Sequence, residues 1–171
     1  MTILELLDNR PQLHHFFSVS STMDVCKFLP VGSVVLANFQ ENGRGKPGNR
    51  WICKGGNLMF SCVVRKHDHL FGLFAVAVGR SIRSVGCKDS VVYKYPNDIY
   101  LGGRKICGVL VENERDSAIV GVGLNLADDV GGIYNCLKNY GIDISALCML
   151  NIILNMRLFD WEREWLEGVL I

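Results

Sequence analysis

Two stretches of the 171-residue chain gather the side chains that could do chemistry. The first runs Tyr93-Lys94-Tyr95-Pro96-Asn97-Asp98-Ile99-Tyr100-Leu101-Gly102-Gly103-Arg104-Lys105-Ile106-Cys107-Gly108. A β-prone segment enters Pro96, whose missing N–H closes a strand. Asn97 and Asp98 follow, an amide and a carboxylate at a strand end. Gly102-Gly103 tolerates the positive φ of a tight hairpin turn, which returns the chain along an aliphatic second strand. The hairpin brings Lys94, Asn97, Asp98 and Lys105 onto one short piece of sheet and loop. Two ammonium groups beside a carboxylate and an amide suit an anionic ligand that also accepts and donates hydrogen bonds. Taken alone, the same residues also read as solvated polar groups at strand ends.

The second stretch is Gln40-Glu41-Asn42-Gly43-Arg44-Gly45-Lys46-Pro47-Gly48-Asn49-Arg50-Trp51. Its glycines let backbone N–H groups approach a phosphate, and Arg44, Lys46 and Arg50 offset developing negative charge. A segment of this composition cannot bury itself and is expected to be mobile without ligand. By itself it reads equally as a solvated turn.

The elements that must position these groups follow from pattern. Ser21-Thr22-Met23-Asp24 has the Ser-x-x-acid shape of a helix start, with Val25, Cys26, Phe28 and Leu29 as the apolar face and Pro30 as the stop. Aliphatic runs over 32–40, 57–65 and 117–126 read as strands, the first ending on Gln40, which offers both a donor and an acceptor. Gly121 and Gly123 fall on one face of the last, where a ligand or another backbone can come close. Residues 70–85 carry helical spacing and stop at Gly86. Residues 143–165 read as one long or two shorter helices burying Leu147, Leu150, Ile153 and Leu154, with Trp161, Trp165 and Leu166 sealing the core. Strands and helices in mixed order with hairpins indicate α+β.

Composition sets limits. Hydrophobic residues make up 49% and charged residues 20%, which is globular and fits one domain with a sizeable core. A net charge of +1 gives no overall field for nucleic acid, so any anion site is local. No apolar run is long enough to span a bilayer, and the acids near the N-terminus are unlike a signal peptide, so a cytoplasmic location is expected. The seven cysteines are odd in number and form no Cys-x-x-Cys. Most, such as Cys62, Cys107 and Cys148, sit in apolar runs, which fits reduced thiols. Cys53, Cys62, His67 and His69 lack the spacing of a structural zinc site.

Taken together, the motifs resemble the biotin–protein ligases of the holocarboxylase synthetase type. That family carries a loop Gly-Arg-Gly-Arg-x-Gly-x-x-Trp, matched by Gly43-Arg44-Gly45-Lys46-Pro47-Gly48-Asn49-Arg50-Trp51. Its Lys-Trp-Pro-Asn-Asp is matched by Lys94-Tyr95-Pro96-Asn97-Asp98, followed by the hairpin and Arg104-Lys105-Ile106-Cys107-Gly108. Its Ser-Thr-Asn resembles Ser21-Thr22-Met23, and its Gly-x-Gly-x-Asn is Gly121-Val122-Gly123-Leu124-Asn125. The register holds across roughly residues 18 to 127, and four motifs in order are far more specific than one. Met23 replaces the usual Asn, Ser20 the frequent Asp, Lys46 the second loop Arg and Tyr95 the Trp.

The resemblance implies a mixed, largely antiparallel sheet flanked by helices, related to class II aminoacyl-tRNA synthetases. It implies ATP-dependent activation of biotin as biotinyl-5′-AMP and transfer to a lysine of a biotin carboxyl carrier domain. Biotin would meet Ser21, Thr22, Met23, Gln40, Gly43, Arg44, Gly45, Lys46, Lys105 and Gly108, with the ureido group at the helix start and Gln40. ATP would meet Arg44, Lys46, Arg50, Trp51, Lys94, Asn97, Asp98, Lys105 and Asn125. Lys105, Arg44 and Asp98 would be catalytic, with Asp98 also the candidate Mg²⁺ ligand. The expected extent is a catalytic domain over 1–171 without a preceding DNA-binding domain or a following small β-barrel, acting as monomer or homodimer. A lipoate- or octanoate-transferring enzyme of the same fold, or an inactive biotin- or nucleotide-binding module, are the alternatives.

Overall fold

The central strands carry two unlike faces, and that difference decides where the helices go. In β3 (Leu58–Arg65), Leu58, Phe60, Cys62 and Val64 enter one large hydrophobic core. In β7 (Ser117–Leu124), Ala118, Val120, Val122 and Leu124 do the same. Because side chains alternate across a strand, the residues between them face the other way: Ser61, Gly121 and Gly123 among them. Large aliphatics on one face require a cover of helices; serine and glycine on the other leave a shelf. The computed structural model, which describes residues 1–52 and 54–170, follows this plan.

One eight-stranded sheet has the order β1-β2-β3-β7-β6-β5-β4-β8. The remaining strands are β1 (Gln12–Val19), β2 (Ser33–Gln40), β4 (Val91–Lys94), β5 (Asp98–Leu101), β6 (Arg104–Asn113) and β8 (Val169–Leu170). Only β1 with β2 and β4 with β8 run parallel, so the sheet is mixed and largely antiparallel, as expected. Gly102 and Gly103, at φ +55 and +78, form the two-residue turn between β5 and β6. Positive φ at both central positions is the turn whose twist matches the flanking strands.

Helices α1 (Ile3–Leu6), α3 (Leu70–Ser84), α4 (Ala146–Asn155) and α5 (Trp161–Gly168) contribute to the core on the aliphatic face. Leu73, Phe74, Val76, Ala77 and Ile82 of α3 are fully buried, each of the larger four contributing ~1.5–3 kcal/mol. The short helix α2 (Thr22–Cys26) alone takes the opposite face, where Met23 and Cys26 pack on Val35, Val63 and Ile119. It covers only part of that face.

Several expectations are corrected. β1 carried no recognisable alternation because it is an edge strand exposed along most of its length. Segment 143–165 divides into α4 and α5, and Leu147, Leu166 and Cys148 are exposed. In α4 the buried stripe is Met149, Leu150, Ile153 and Leu154, with Leu147 to one side of it. In α5, Trp161 and Trp165 point to α3, and one residue further on Leu166 has rotated away. Phe28 lies beyond the end of α2 and is 88% exposed. Among the described residues no helix is long and apolar enough to cross a membrane.

Docking of α5 rests on Glu164. Its carboxylate accepts from Arg80 Nε at 2.8 Å, from the Tyr93 hydroxyl at 2.8 Å and from Arg83. Arg80 further donates to the carbonyls of Arg157 (2.6 Å) and Phe159 (2.8 Å), tying the α4–α5 connection to α3. Burial pushes the Glu164 carboxyl up, but the bonds from Arg80 and Tyr93 and the charge of Arg83 outweigh it and hold the group below its usual 4.5. A depressed carboxyl stabilises the fold above its unfolded pKa, and that share disappears as pH falls through the folded value. Glu164→Gln should therefore lower the melting temperature near neutral pH. The gap to the parent should close as melts are repeated at progressively lower pH below 4.5; a gap that stays constant would remove Glu164 from the acid response.

Candidate active site

The bulge in β6 places the central cation. Asp98 pairs with Gly108 and Ile99 with Cys107, but Tyr100 pairs with Lys105, so Ile106 is an extra residue without a partner on β5. Ile106 and Cys107 are both fully buried in the core. Strict alternation would send Lys105 into that core with Cys107; the extra residue returns it to the shelf face beside Gly108 and Asp98. There Lys105 Nζ lies 2.7 Å from Asp98 Oδ1, off the direction of a good hydrogen bond, with both side chains about a quarter exposed (22% and 24%). Burial pushes the Cys107 thiol far up, so this neighbour stays protonated and supplies no thiolate.

The Gly-rich loop is a small hairpin and not the loose segment its composition suggests. Arg44 and Arg50 form a β-bridge, Gly45 N–H donates to Asn49 O (3.1 Å), and Trp51 N–H donates to Gly43 O (2.9 Å). Arg50 caps its base through Glu41 O at 2.7 Å. Trp51 then lies across the shelf. A Cβ on Gly123 would stand 2.3 Å from its indole, and one on Gly108 would stand 3.0 Å away. Those two glycines are register partners, so their missing side chains make one slot for the ring. Lys105 Nζ sits 5.5 Å from the same ring.

At the other end of the shelf is a hydrogen-bonded polar group. Thr22 donates from its N–H (2.8 Å) and its hydroxyl (3.0 Å) to Gln40 Oε1, and Thr22 Oγ1 lies 2.7 Å from Ser61 Oγ. Ser21 stands at the N-cap of α2, yet its side chain makes no capping bond, so the capping role expected of it is absent. Its Oγ is buried without a protein partner, as are Arg44 Nε, Trp51 Nε1 and Asn125 Nδ2. Buried polar atoms are rarely left unpaired, and with Asp98 Oδ1 five lie along one cleft, which makes it the candidate ligand site.

Fourteen of the residues singled out from sequence line this cleft of about 360 Å³: Ser21, Thr22, Met23, Gln40, Arg44, Gly45, Lys46, Arg50, Trp51, Asn97, Asp98, Lys105, Gly108 and Asn125. Two do not. Lys94 pairs with Asp98 across β4 and β5 but is one strand further out, and its exposed ammonium rests 5.4 Å over the Tyr100 ring. Gly43 instead permits the hairpin to close, since a Cβ there would stand 2.6 Å from Trp51 O.

Sequence reasoning missed Ser61, Tyr134, Val130 and Asn57. Ser61 was detectable as the lone hydroxyl in an apolar strand. Tyr134 and Val130 reach the cleft from an irregular segment with no pattern to read. Asn57 accepts the N–H groups of Leu126 (2.9 Å), Ala127 (3.0 Å) and Asp128 (3.1 Å), and donates to Asn125 Oδ1 (3.3 Å). It fixes the turn after β7, so Asn125 keeps its Nδ2 for the cleft. Among the described residues no group of three acidic, histidine or cysteine side chains could hold a metal by itself. Cys62 is fully buried, and Cys53, the other cysteine weighed for zinc, lies outside the described residues.

Residues 17–126 match the model of the biotin/lipoate A/B protein ligase family. The chain is 34% identical over 138 residues to the chloroplastic biotin–protein ligase 1 of Arabidopsis thaliana, covering 70% of this chain and 37% of that protein. It is 30% identical over 116 residues to the biotin–[acetyl-CoA-carboxylase] ligase of Paracoccus denitrificans, covering 58% and 47%. The chain thus spans less than half the length of these relatives. Among solved structures, the biotin protein ligase of Aquifex aeolicus in complex with biotin and ATP superposes with a TM-score of 0.69 at 26% identity, over 91% of this chain and 70% of that one. That of Leishmania major in complex with biotin gives 0.74 at 23%, over 93% and 81%, a likeness of fold. With the family model matching 110 of 171 residues, all four motifs inside it, the chain belongs to the biotin/lipoate A/B protein ligase family.

Proposed function

We propose that this chain carries the catalytic core of a biotin–protein ligase, activating biotin with ATP and passing it to a lysine of a biotin carboxyl carrier domain. One observation supports this most: a single cleft joins the Thr22–Gln40–Ser61 polar group to Lys105 and Arg44 across a glycine shelf. A ureido ring needs donors and acceptors in a fixed, buried array, and Thr22 with Gln40 supplies one. A flat apolar bicycle and its chain run along the cleft from that array, beside Met23 over Gly121 and the Trp51 ring over Gly108. The carboxylate then arrives among the cations.

In the first step a biotin carboxylate oxygen bonds to the α-phosphorus of ATP, and the bond to the pyrophosphate oxygen breaks. Negative charge meets negative charge, so Lys105 and Arg44 must offset it as it is concentrated in the transition state. In this reading Trp51 and Asn125 meet the adenine, and the loop hairpin shields the anhydride from water. In the second step the carrier lysine attacks the acyl carbon and AMP leaves. That amine, with a pKa of about 10.4 in water, must give up a proton, and Asp98 is the carboxylate beside the reacting position. Mg²⁺ takes one or two protein carboxylates and completes its shell with phosphate oxygens and water, which agrees with a cleft that offers Asp98 and Asn97. Arriving with the nucleotide, it would offset phosphate charge.

The polar group at Thr22 favours biotin over lipoate or octanoate, whose far ends carry nothing to bond it. Pyrophosphate exchange into ATP should appear with biotin and stay near background with lipoate or octanoate. Exchange with lipoate or octanoate alone would assign the other branch of the family. Exchange with none of them, alongside measurable biotin binding, would make the chain a binding module.

A further inference from the structure

Arg44 is paired with two carboxylates of the chain itself. Its Nη1 lies 3.1 Å from Glu112 Oε1, and its Nη2 lies 3.2 Å from both Glu112 Oε2 and Asp24 Oδ1. Its Nε is buried without a partner. The three residues join separate elements: Asp24 on α2 just after Thr22, Arg44 in the loop hairpin, and Glu112 on β6 downstream of Lys105. Both carboxylates sit on the guanidinium that an incoming anion would use, so they compete with it for Arg44. Glu112 grips two nitrogens, the strong planar arrangement, whereas Asp24 touches one and is more exposed (45% against 30%). Asp24 also has a second cation waiting, Lys27 Nζ at 3.6 Å one helical turn away.

We propose that Asp24 and Glu112 are positioning residues with opposite roles on Arg44. Asp24 is a latch that an anionic ligand, carboxylate or phosphate, must displace; Glu112 is the anchor that stays and aims the guanidinium. Displacement hands Asp24 to Lys27 and frees an Nη2 hydrogen, which with Nε gives the ligand two donors. The site thereby responds to the ligand's charge: a neutral molecule of the same shape cannot open the latch. That biotin is the ligand rests on the function proposed above.

The test uses Asp24→Asn and Glu112→Gln, which remove charge and keep shape. Asp24→Asn should bind biotin about threefold to fivefold more tightly, as expected for loss of one partly exposed competing charge contact, while biotinol, the neutral alcohol of the same skeleton, changes less than about twofold. Glu112→Gln should weaken biotin binding. In an Arg44→Ala background, Asp24→Asn should give no gain, because the latch acts through Arg44. Trypsin applied without ligand should cut the loop hairpin after Arg50 faster in Asp24→Asn than in the parent. Equal shifts for biotin and biotinol, a gain that survives Arg44→Ala, or unchanged tryptic cleavage would each overturn the latch. If the parent binds neither biotin nor biotinol, the ligand assignment fails, and titration with inorganic pyrophosphate together with the tryptic rates still decides the latch.

Discussion

Lys105→Ala should slow adenylate formation by ~10²–10³, the cost of removing one preorganised charge contact from a transition state, or about 2.7–4 kcal/mol. The geometry explains why no neighbour substitutes for it. Lys94, the other ammonium of this stretch, sits on β4 beyond β5 and lies over Tyr100 outside the cleft lining. Arg44 meets the same charge from a separate face and stays anchored by Glu112, so it cannot take the position of Lys105 as well. Single-turnover adenylation is the measurement, with ATP affinity measured alongside; the loss should fall on the rate far more than on nucleotide binding. A rate within a few-fold of the parent would remove Lys105 from the chemistry.

Thr22→Val is the second large effect. Valine keeps the shape but deletes the hydroxyl that bonds Gln40 and meets Ser61. Those groups are left short of partners around an apolar methyl, and a buried polar group without its partner costs about 1–3 kcal/mol. With the ligand's own bond lost as well, biotin affinity should fall roughly 30- to 150-fold, or about 2–3 kcal/mol. Thr22→Ser, which restores the hydroxyl, should recover most of it. Calorimetric titration of biotin checks both; a valine variant that binds like the parent would place the ureido group elsewhere.

The sequence and the structure agree where a signal is local. Gly102-Gly103 specified a turn through the backbone alone, and the long strands and α3 followed from the spacing of large residues. The site was legible through four motifs, yet motifs name residues and not their directions. Lys94 and Lys105 look equivalent in the chain, one on either side of Asp98, and only the number of strands separating them from the cleft distinguishes them. Asp24 read only as the acid of a helix start and Glu112 carried no signal, because nothing in either neighbourhood shows that Arg44 will fold between them. β1 was missed for a related reason: an exposed edge strand has no buried face to write a pattern. Tyr134 enters the cleft from an irregular segment whose path is set by Asn57, nearly eighty residues upstream in the chain.

The extra residue in β6 gives the hairpin a reading frame. Between the turn and Gly108 the count of residues decides which side chains look inward, and Ile106 makes that count odd relative to β5. Removing one residue there would restore simple alternation and carry the Lys105 ammonium into a layer of Ile99 and Leu101, where a charge has no partner. Exchanging Ile106 for another aliphatic would leave the frame intact. The hairpin should therefore accept substitutions far more readily than single insertions or deletions. Anyone moving this site to another sheet would have to transplant the segment from Gly102 to Gly108 as one indivisible block, spacing before identity.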